Sequence, residues 1–432
     1  VDLFMNMKES KYNYYITKNE KGLIFNGRTR KFFITSLKSL SMYKTILHSP
    51  NVFMPKYKEF LNRMKAEGFV LNDGEDEYGL VMDNYKKSML PDTYRLMILP
   101  TFKCNLSCWY CIQEHTGADM SDDTVIKVKK HIRKYLVENS IKVFHISWFG
   151  GEPLTRFNTV YDISTYAKQV CNELDIKFTN DITTNSLLLN KERLRQLKEC
   201  NVNHFQITID GTREEHNKVK HIPHKDTFTM TLNNIKNILD IMPDCDVTLR
   251  INYSNKMKNP AQIIDEVSEI LTDDYRQRLT INIQKVWQEY NEQSDEQPFE
   301  NLAQYSQNKG FNTTVVCHGK CYVDNKHFNS ILPDGRVDIC DHEGCDVIGR
   351  AFLTEDGDIK WKEKLKCFQY SILNENIICN KCKHMPLCGG PCPAKRNEYY
   401  SKKNNELLPC PSDNMDEAIV KDIKHYVAEF GV

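Results

Sequence analysis

The chain lacks a charge bias, a membrane-length apolar run and the scattered cysteine framework of a small secreted protein. Basic and acidic residues each number 58 among 432, so the formal net charge is zero. Without an excess of one sign there is no global field to gather nucleic acid or an anionic membrane. No apolar run approaches the ~20 residues of a membrane-spanning helix, and no signal-peptide pattern precedes the first domain. The expectation is a cytoplasmic protein with neither nucleic acid nor membrane as partner. What the chain has in quantity is cysteine: sixteen residues, gathered in two regions and including C-x2-C spacings. In a chain without a secretion signal, such clustering favours metal sites in a reducing compartment over disulfides. The length accommodates two or three domains with cores of their own.

The first cysteine region is also defined by something missing. Cys104, Cys108 and Cys111 lie in the run Cys-Asn-Leu-Ser-Cys-Trp-Tyr-Cys, directly after the strand-like stretch Tyr94–Thr101. A closed structural zinc site or an electron-transfer cluster asks for four protein ligands. Three thiolates within eight residues can hold three irons of a [4Fe–4S] cube and leave the fourth iron open to a small molecule. Some forty residues on, after a second strand-like stretch, comes Phe149-Gly150-Gly151-Glu152-Pro153-Leu154, where two glycines permit close backbone approach and Glu152 offers a carboxylate.

Between about 93 and 286, strands and helices alternate. Strands read at Arg95–Pro100, Lys142–Trp148, Lys177–Thr184, His204–Ile209, Asp246–Asn252 and Thr280–Val286. The clearest helix is Ser121–Asn139, with Ser121 as cap and Val125, Val128, Ile132 and Tyr135 or Leu136 along one face. Six strand–helix units joined by right-handed crossovers make a parallel sheet that curves into part of a barrel. Ligands collect at the C-terminal ends of such strands, where the cysteine run falls. Residues 1–92 read as three short strands (Tyr12–Thr17, Gly22–Phe25, Thr29–Thr35) and three helices (Leu37–His48, Lys56–Lys65 and roughly Glu75–Ser88). Beyond about 310 periodicity fades, as expected where metal ligation replaces a hydrophobic core. Nine cysteines fall between Cys317 and Cys392, with Cys410 as a tenth, before an amphipathic helix at Asp413–Phe430.

The C-x3-C-x2-C triad, with the aromatic Tyr110 before its last cysteine, resembles the defining motif of the radical SAM superfamily, and Gly150–Pro153 resembles that family's grip on the amino group of S-adenosylmethionine (SAM). The resemblance implies an α/β fold: a partial (β/α)6 TIM-type barrel. It also implies a [4Fe–4S] cluster on Cys104, Cys108 and Cys111, with SAM on its open iron. Thr184-Asn185 resembles the family's Thr-Asn-Gly, with Ser186 in place of the glycine, and Asp210-Gly211 its Asp-Gly turn. Asn185, Asp210, Arg250 and Asn252 are thereby candidate contacts to ribose or carboxylate, or else polar turn and core structure.

From Cys321 onward the spacing resembles the seven-cysteine SPASM extension, found on radical SAM enzymes that act largely on peptides. The resemblance implies two further [4Fe–4S] clusters. Cys317, Cys321, Cys340 and Cys392 would hold the nearer one, and Cys379, Cys382, Cys388 and Cys410 the outer one. The short Cys317–Cys321 spacing leaves Cys345 as a substitute for Cys317. Asp341 occupies the place of a proton-accepting aspartate in sulfatase-maturing relatives, making it a candidate general base or a solvated loop carboxylate. The N-terminal α+β segment resembles the winged-helix-like domain that captures leader peptides as an added strand.

The expected organisation is a recognition-like domain (1–92), a radical SAM barrel (93–310) and a SPASM domain (311–432). The expected activity is oxidoreductase maturation of a ribosomally made precursor peptide carrying a leader sequence. It proceeds by reductive SAM cleavage to a thioether, C–C or C–O crosslink, with a flavodoxin or ferredoxin as reducing partner. A formylglycine-forming sulfatase-type maturase and a peptide epimerase are the alternatives within enzymes; a purely electron-carrying or zinc protein is the alternative outside them. Cys171, Cys200 and Cys245 read as buried apolar residues, and lysines and arginines on helix faces as solvated surface.

Overall fold

In the computed structural model, the described residues are 6–18, 20–90, 92–113, 115, 117–289, 297–315, 321–338, 340, 351–361, 377–392, 410 and 414–428. Cys317, Asp341, Cys345 and Cys367 lie outside them. The chain divides into two compact units, one of residues 1–90, 317–325 and 366–432, the other of 91–316 and 326–365.

The first unit opens with β1 (Met7–Glu9), β2 (Asn13–Lys18), β3 (Lys21–Asn26) and β4 (Phe32–Ser36). Helices α1 (Leu37–His48) and α2 (Pro50–Ala66), strand β5 (Val70–Asn72) and helix α3 (Glu77–Ser88) follow. Strands β2, β3 and β4 form an antiparallel sheet in that order, and β1 pairs with β5. Alternation along the strands sends Ile24, with Tyr15 and Phe33, toward Ile46, Leu47, Leu61, Met64 and Phe69. The second expected helix is longer than its periodicity indicated. It starts at Pro50, where proline suits a first helical position, and kinks at Tyr57, two residues past Pro55.

The second unit is built on one sheet. Its strands and helices in chain order are β6 (Thr93–Ile98), α4 (Asp122–Glu138), β7 (Val143–Trp148), α5 (Phe157–Glu173), β8 (Lys177–Thr184), α6 (Lys191–Glu199) and β9 (Val202–Ile209). Then come α7 (Arg213–Val219), α8 (Thr227–Ile241), β10 (Asp246–Tyr253), α9 (Pro260–Ile270), α10 (Asp273–Arg276), β11 (Leu279–Lys285), α11 (Gln297–Asn308) and β12 (Asn312–Val315). Strands β13 (His327–Ile331), β14 (Arg336–Asp338), β15 (Ala351–Leu353) and β16 (Ile359–Trp361) complete it. The order is β12-β11-β10-β9-β8-β7-β6-β13-β14-β15-β16, parallel from β12 through β13 and antiparallel beyond.

The six expected strands are β6 to β11, each within two residues of its expected limits, and the sheet is a partial TIM-type barrel. Two parallel strands were missed: β12 beside β11, and β13 beside β6. Both are short and lie close to the cysteine-rich tail, where hydrophobic alternation is weakest.

One face of most barrel strands is apolar and buried, such as Tyr94, Leu96 and Ile98 on β6 or Phe205, Ile207 and Ile209 on β9. It packs on helices whose starts are chemically marked. Ser121 accepts from Thr124 N at 3.1 Å, and Asn190 from Arg193 N at 2.9 Å, each satisfying a donor the helix leaves open. Cys171, Cys200 and Cys245 are buried in this core, as expected.

Besides residues 317–325, the first unit takes in the chain's end: α12 (Ile377–Lys381), α13 (Met385–Cys388) and α14 (Met415–Ala428). Leu387, Cys388, Ile419, Ile423 and Val427 form one core with Tyr14, Ile16, Leu23 and Phe25. The N-terminal sheet and the cysteine-bearing tail therefore share a hydrophobic core.

Candidate active site

The expected site residues of the barrel unit gather at the C-terminal ends of β6 to β10. The cysteine loop leaves β6 and runs past the turn that follows β7. Gly151 N donates to Thr101 O at 3.1 Å, and Glu152 N to Lys103 O at 2.9 Å. The two glycines are needed for this approach. Gly150 has φ +116°, and a Cβ at Gly151 would stand 2.2 Å from the carbonyl oxygen of Lys103. What comes close to these glycines is thus the start of the cysteine loop itself.

Glu152 is 1% exposed. Its Oε1 accepts from Thr184 Oγ1 at 2.7 Å and Leu154 N at 3.0 Å, and its Oε2 from Asn185 N at 2.8 Å. Burial raises its pKa and these three donors pull against that rise. The carboxylate ties the β7 turn to the end of β8, an internal set of partners that its motif alone did not reveal. Asn185 in turn donates to Asn105 Oδ1 at 2.8 Å inside the cysteine loop. Ser186, standing where the family motif has glycine, adopts φ +66°. It is fully buried, and its hydroxyl finds no partner among the described residues.

Asp210 follows β9 and is 5% exposed. Its Oδ1 accepts from Tyr110 Oη at 2.6 Å and Asn252 Nδ2 at 2.9 Å, while Lys220 Nζ stands 3.3 Å from Oδ2. Burial would raise the Asp210 pKa, but Lys220, His216 and the two hydrogen bonds outweigh it and hold the carboxyl below its usual range. Arg250 Nε donates to Asn252 Oδ1 at 2.9 Å. Gln288 Nε2 donates to the Tyr110 carbonyl at 2.8 Å. Lys220, His216, Asn105 and Gln288 were all missed in the sequence, and Thr184 was seen only as part of the Thr184-Asn185 motif. Lys220 contradicts the reading of helix lysines as solvated. The one available signal was His216 and Lys220 four residues apart, hence on one helix face beside the Asp210 turn.

Cys104, Cys108 and Cys111 are partly buried, free thiols. Burial pushes Cys104 up to about 11, and its neighbours Glu152, Cys108 and Cys111 add to the rise. Burial likewise raises Cys108, against the pull of Lys220. Three crowded thiols whose anions repel are a donor set that a multiply charged cation would relieve. Among the described residues no three His, Cys, Asp or Glu side chains converge on one point as a single metal ion requires. An iron–sulfur cube makes no such demand, because each thiolate binds a different iron. The donor set fits that group.

Residues 98–256 match the model of the Radical SAM superfamily. The barrel carries a radical SAM domain. By sequence, the chain is 25% identical over 164 residues to the radical SAM cyclopropyl synthase TigE of Paramaledivibacter caminithermalis, covering 33% of this chain and 34% of that one. It is 27% identical over 118 residues to the PqqA peptide cyclase of Bradyrhizobium diazoefficiens, covering 26% and 28%. The chain spans about a third of the length of these two relatives. By structure, native anSMEcpe with bound AdoMet and Kp18Cys peptide superposes with TM-score 0.55 at 17% identity, over 79% of this chain and all of that one. The triad, Gly150–Pro153 and Asp210 all lie inside the segment matched to the radical SAM domain.

In the first unit, Cys388 is buried and pushed up to about 11, first by burial and further by its neighbours Cys382 and Cys410. Cys382 N donates to Cys379 O at 3.2 Å, and His384 N to Cys382 Sγ at 3.4 Å. Of the four residues expected at the outer cluster, Cys382 and Cys410 thus lie near enough to act on Cys388, and Cys379 is joined to Cys382 by a backbone hydrogen bond. Strand β2 is fastened to this loop, since Tyr14 Oη donates to the Lys383 carbonyl at 3.0 Å. Cys321 belongs to this unit, and Cys340 to the barrel unit. Cys392 is exposed. Among the described residues no helix is long and apolar enough to cross a membrane.

Proposed function

We propose that the protein is a radical SAM maturase that removes hydrogen from a residue of a ribosomally made precursor peptide and closes a crosslink within it. The observation that carries this reading is the cysteine loop, seated at the C-terminal edge of the barrel and held there by residues from three neighbouring strand ends. Cys104, Cys108 and Cys111 would hold a [4Fe–4S] cluster. With SAM it supplies, when bound, a one-electron cleavage that yields a carbon radical able to take hydrogen from an unactivated C–H bond.

The chain's own contribution is preorganisation. Gly150 and Gly151 let the β7 turn lie against the cysteine loop. Glu152 and Asn185 lock that turn to β8, and Asp210 fixes Tyr110 between Cys108 and Cys111. Because the side chains of Glu152 and Asp210 are occupied inside the protein, the backbone around Gly150–Pro153 is the surface left to meet the amino group of SAM. Asn185, Arg250 and Asn252, at the ends of β8 and β10, would be its further contacts. In the other unit, Cys379, Cys382, Cys388 and Cys410 would hold an auxiliary cluster. Cys321 and Cys392 of the same unit would serve a second auxiliary cluster.

The peptide assignment draws on the PqqA peptide cyclase among the relatives. The three-stranded sheet offers edge strands on which a leader segment can add. Deleting residues 1–92 would be an unclean test of that role, since it strips Tyr14, Ile16, Leu23 and Phe25 from a core shared with α13 and α14. A labelled leader peptide titrated into the full chain tests recognition directly. Co-expression with the precursor tests the chemistry. A crosslinked peptide is lighter by two hydrogens; an unchanged mass alongside SAM consumption refutes crosslinking.

A further inference from the structure

Lys220 is a buried cation that the maturase reading leaves without a task. It is 1% exposed, and an ammonium so far from water persists only where it is paired and hydrogen-bonded. Its Nζ donates to the carbonyl and, at 2.5 Å, to the hydroxyl of Thr208. It stands 3.3 Å from Asp210 Oδ2. The opposite carboxylate oxygen accepts from Tyr110 Oη at 2.6 Å, and Tyr110 sits between Cys108 and Cys111. Asn252, at 2.9 Å from the same oxygen, holds the carboxylate in place. At neutral pH His216 adds no charge: burial first, then Lys220, push its pKa down to about 3. One positive and one negative charge are therefore fixed in a dry layer behind the cysteine loop.

We propose that Lys220 and Asp210 are positioning residues of the radical SAM domain: the pair orients Tyr110, and its two fixed charges set the reduction potential of the iron–sulfur centre on Cys104, Cys108 and Cys111. The proposal rests on the reading of the triad as a cluster site. Its physics is a sign argument. An electron added to the centre is favoured by a nearby positive charge and opposed by a negative one, and low dielectric amplifies both. Lys220→Met leaves Asp210 alone and lowers the potential. Asp210→Asn leaves Lys220 alone and raises it. The double variant removes both charges and returns toward the native value, and Lys220→Arg, which keeps the charge, stays near it.

The experiment is a redox titration of the anaerobically reconstituted full chain followed by EPR, reading the signal that changes when SAM is added. Each single variant is expected to change the reduction equilibrium about tenfold or more, 59 mV per decade for one electron, in opposite directions. Shifts of the same sign in both, or in neither, overturn the proposal and leave the cluster reading standing. Absence of any SAM-responsive signal in the native chain removes the cluster reading and the proposal with it. If Lys220→Met fails to load iron, Asp210→Asn against the double variant still decides, because removing Lys220 from that background must lower the potential.

Discussion

Glu152→Gln separates a carboxylate that binds a ligand from one that binds the protein. The native side chain is 1% exposed and accepts three hydrogen bonds, from Thr184 Oγ1, Leu154 N and Asn185 N. A glutamine of the same shape keeps Oε1 with its two donors but sets an amide NH2 against Asn185 N–H. Leaving that buried donor unsatisfied costs about 1–3 kcal/mol, and the remaining bonds lose their charge-assisted strength. The neutral amide recovers part of this, because burial penalises the ionised carboxylate. The net expectation is a loss of about 2 kcal/mol, or roughly 4–8 °C in Tm at ~2–4 °C per kcal/mol for a unit of this size. The assay is thermal unfolding of the cluster-free chain without SAM, where no ligand contact can contribute. An unchanged Tm, with SAM affinity alone reduced, would refute the internal role and return Glu152 to the ligand.

Ser186→Gly should stabilise the chain. It removes the left-handed strain of φ +66° and a buried hydroxyl without a partner among the described residues, about 1–2 kcal/mol for the backbone against about 0.5–1 for glycine's extra freedom when unfolded; a lower urea midpoint would contradict this. Gly151→Ala places a Cβ 2.2 Å from the Lys103 carbonyl oxygen, so the cysteine loop must move; reconstituted iron should fall by about the content of one cluster, and full loading would show that the close approach is dispensable. Burial depresses His131 to about 4 and His216 to about 3, so both stay neutral in the folded chain while the unfolded chain takes up protons below its usual pKa of about 6.5. Stability is then complete above pH 6.5 and falls as pH drops toward 4 and then 3, by up to about 2.7 kcal/mol per pH unit while both lag; a urea midpoint flat between pH 6.5 and 5 would contradict it.

The sequence was most informative where physics is local. Ser121 and Asn190 cap their helices as their side chains demand, and six parallel strands follow from alternation with helices of the right length. The cysteine spacing pointed to the candidate site, because three thiols in eight residues need no tertiary information to be seen together. Tertiary information was needed for what the polar residues touch. Glu152 and Asp210 look like ligand groups in one dimension, and only the packing of β7 against the cysteine loop, and of α7 behind β9, turns them inward. Lys220 was missed for the same reason: a lysine at a helix end is ordinarily solvated, and its burial depends on Thr208 and Asp210 across a turn. The shared core of β2, β3 and α14 joins segments almost 400 residues apart, a distance over which periodicity carries no signal.

The central claim is that this barrel cleaves SAM reductively. The most direct measurement is 5′-deoxyadenosine formed by the anaerobically reconstituted chain with SAM and dithionite. The native chain is expected to form it, and replacement of Cys104, Cys108 or Cys111 by alanine to abolish it. A native chain with its full iron content that forms no 5′-deoxyadenosine would contradict the claim.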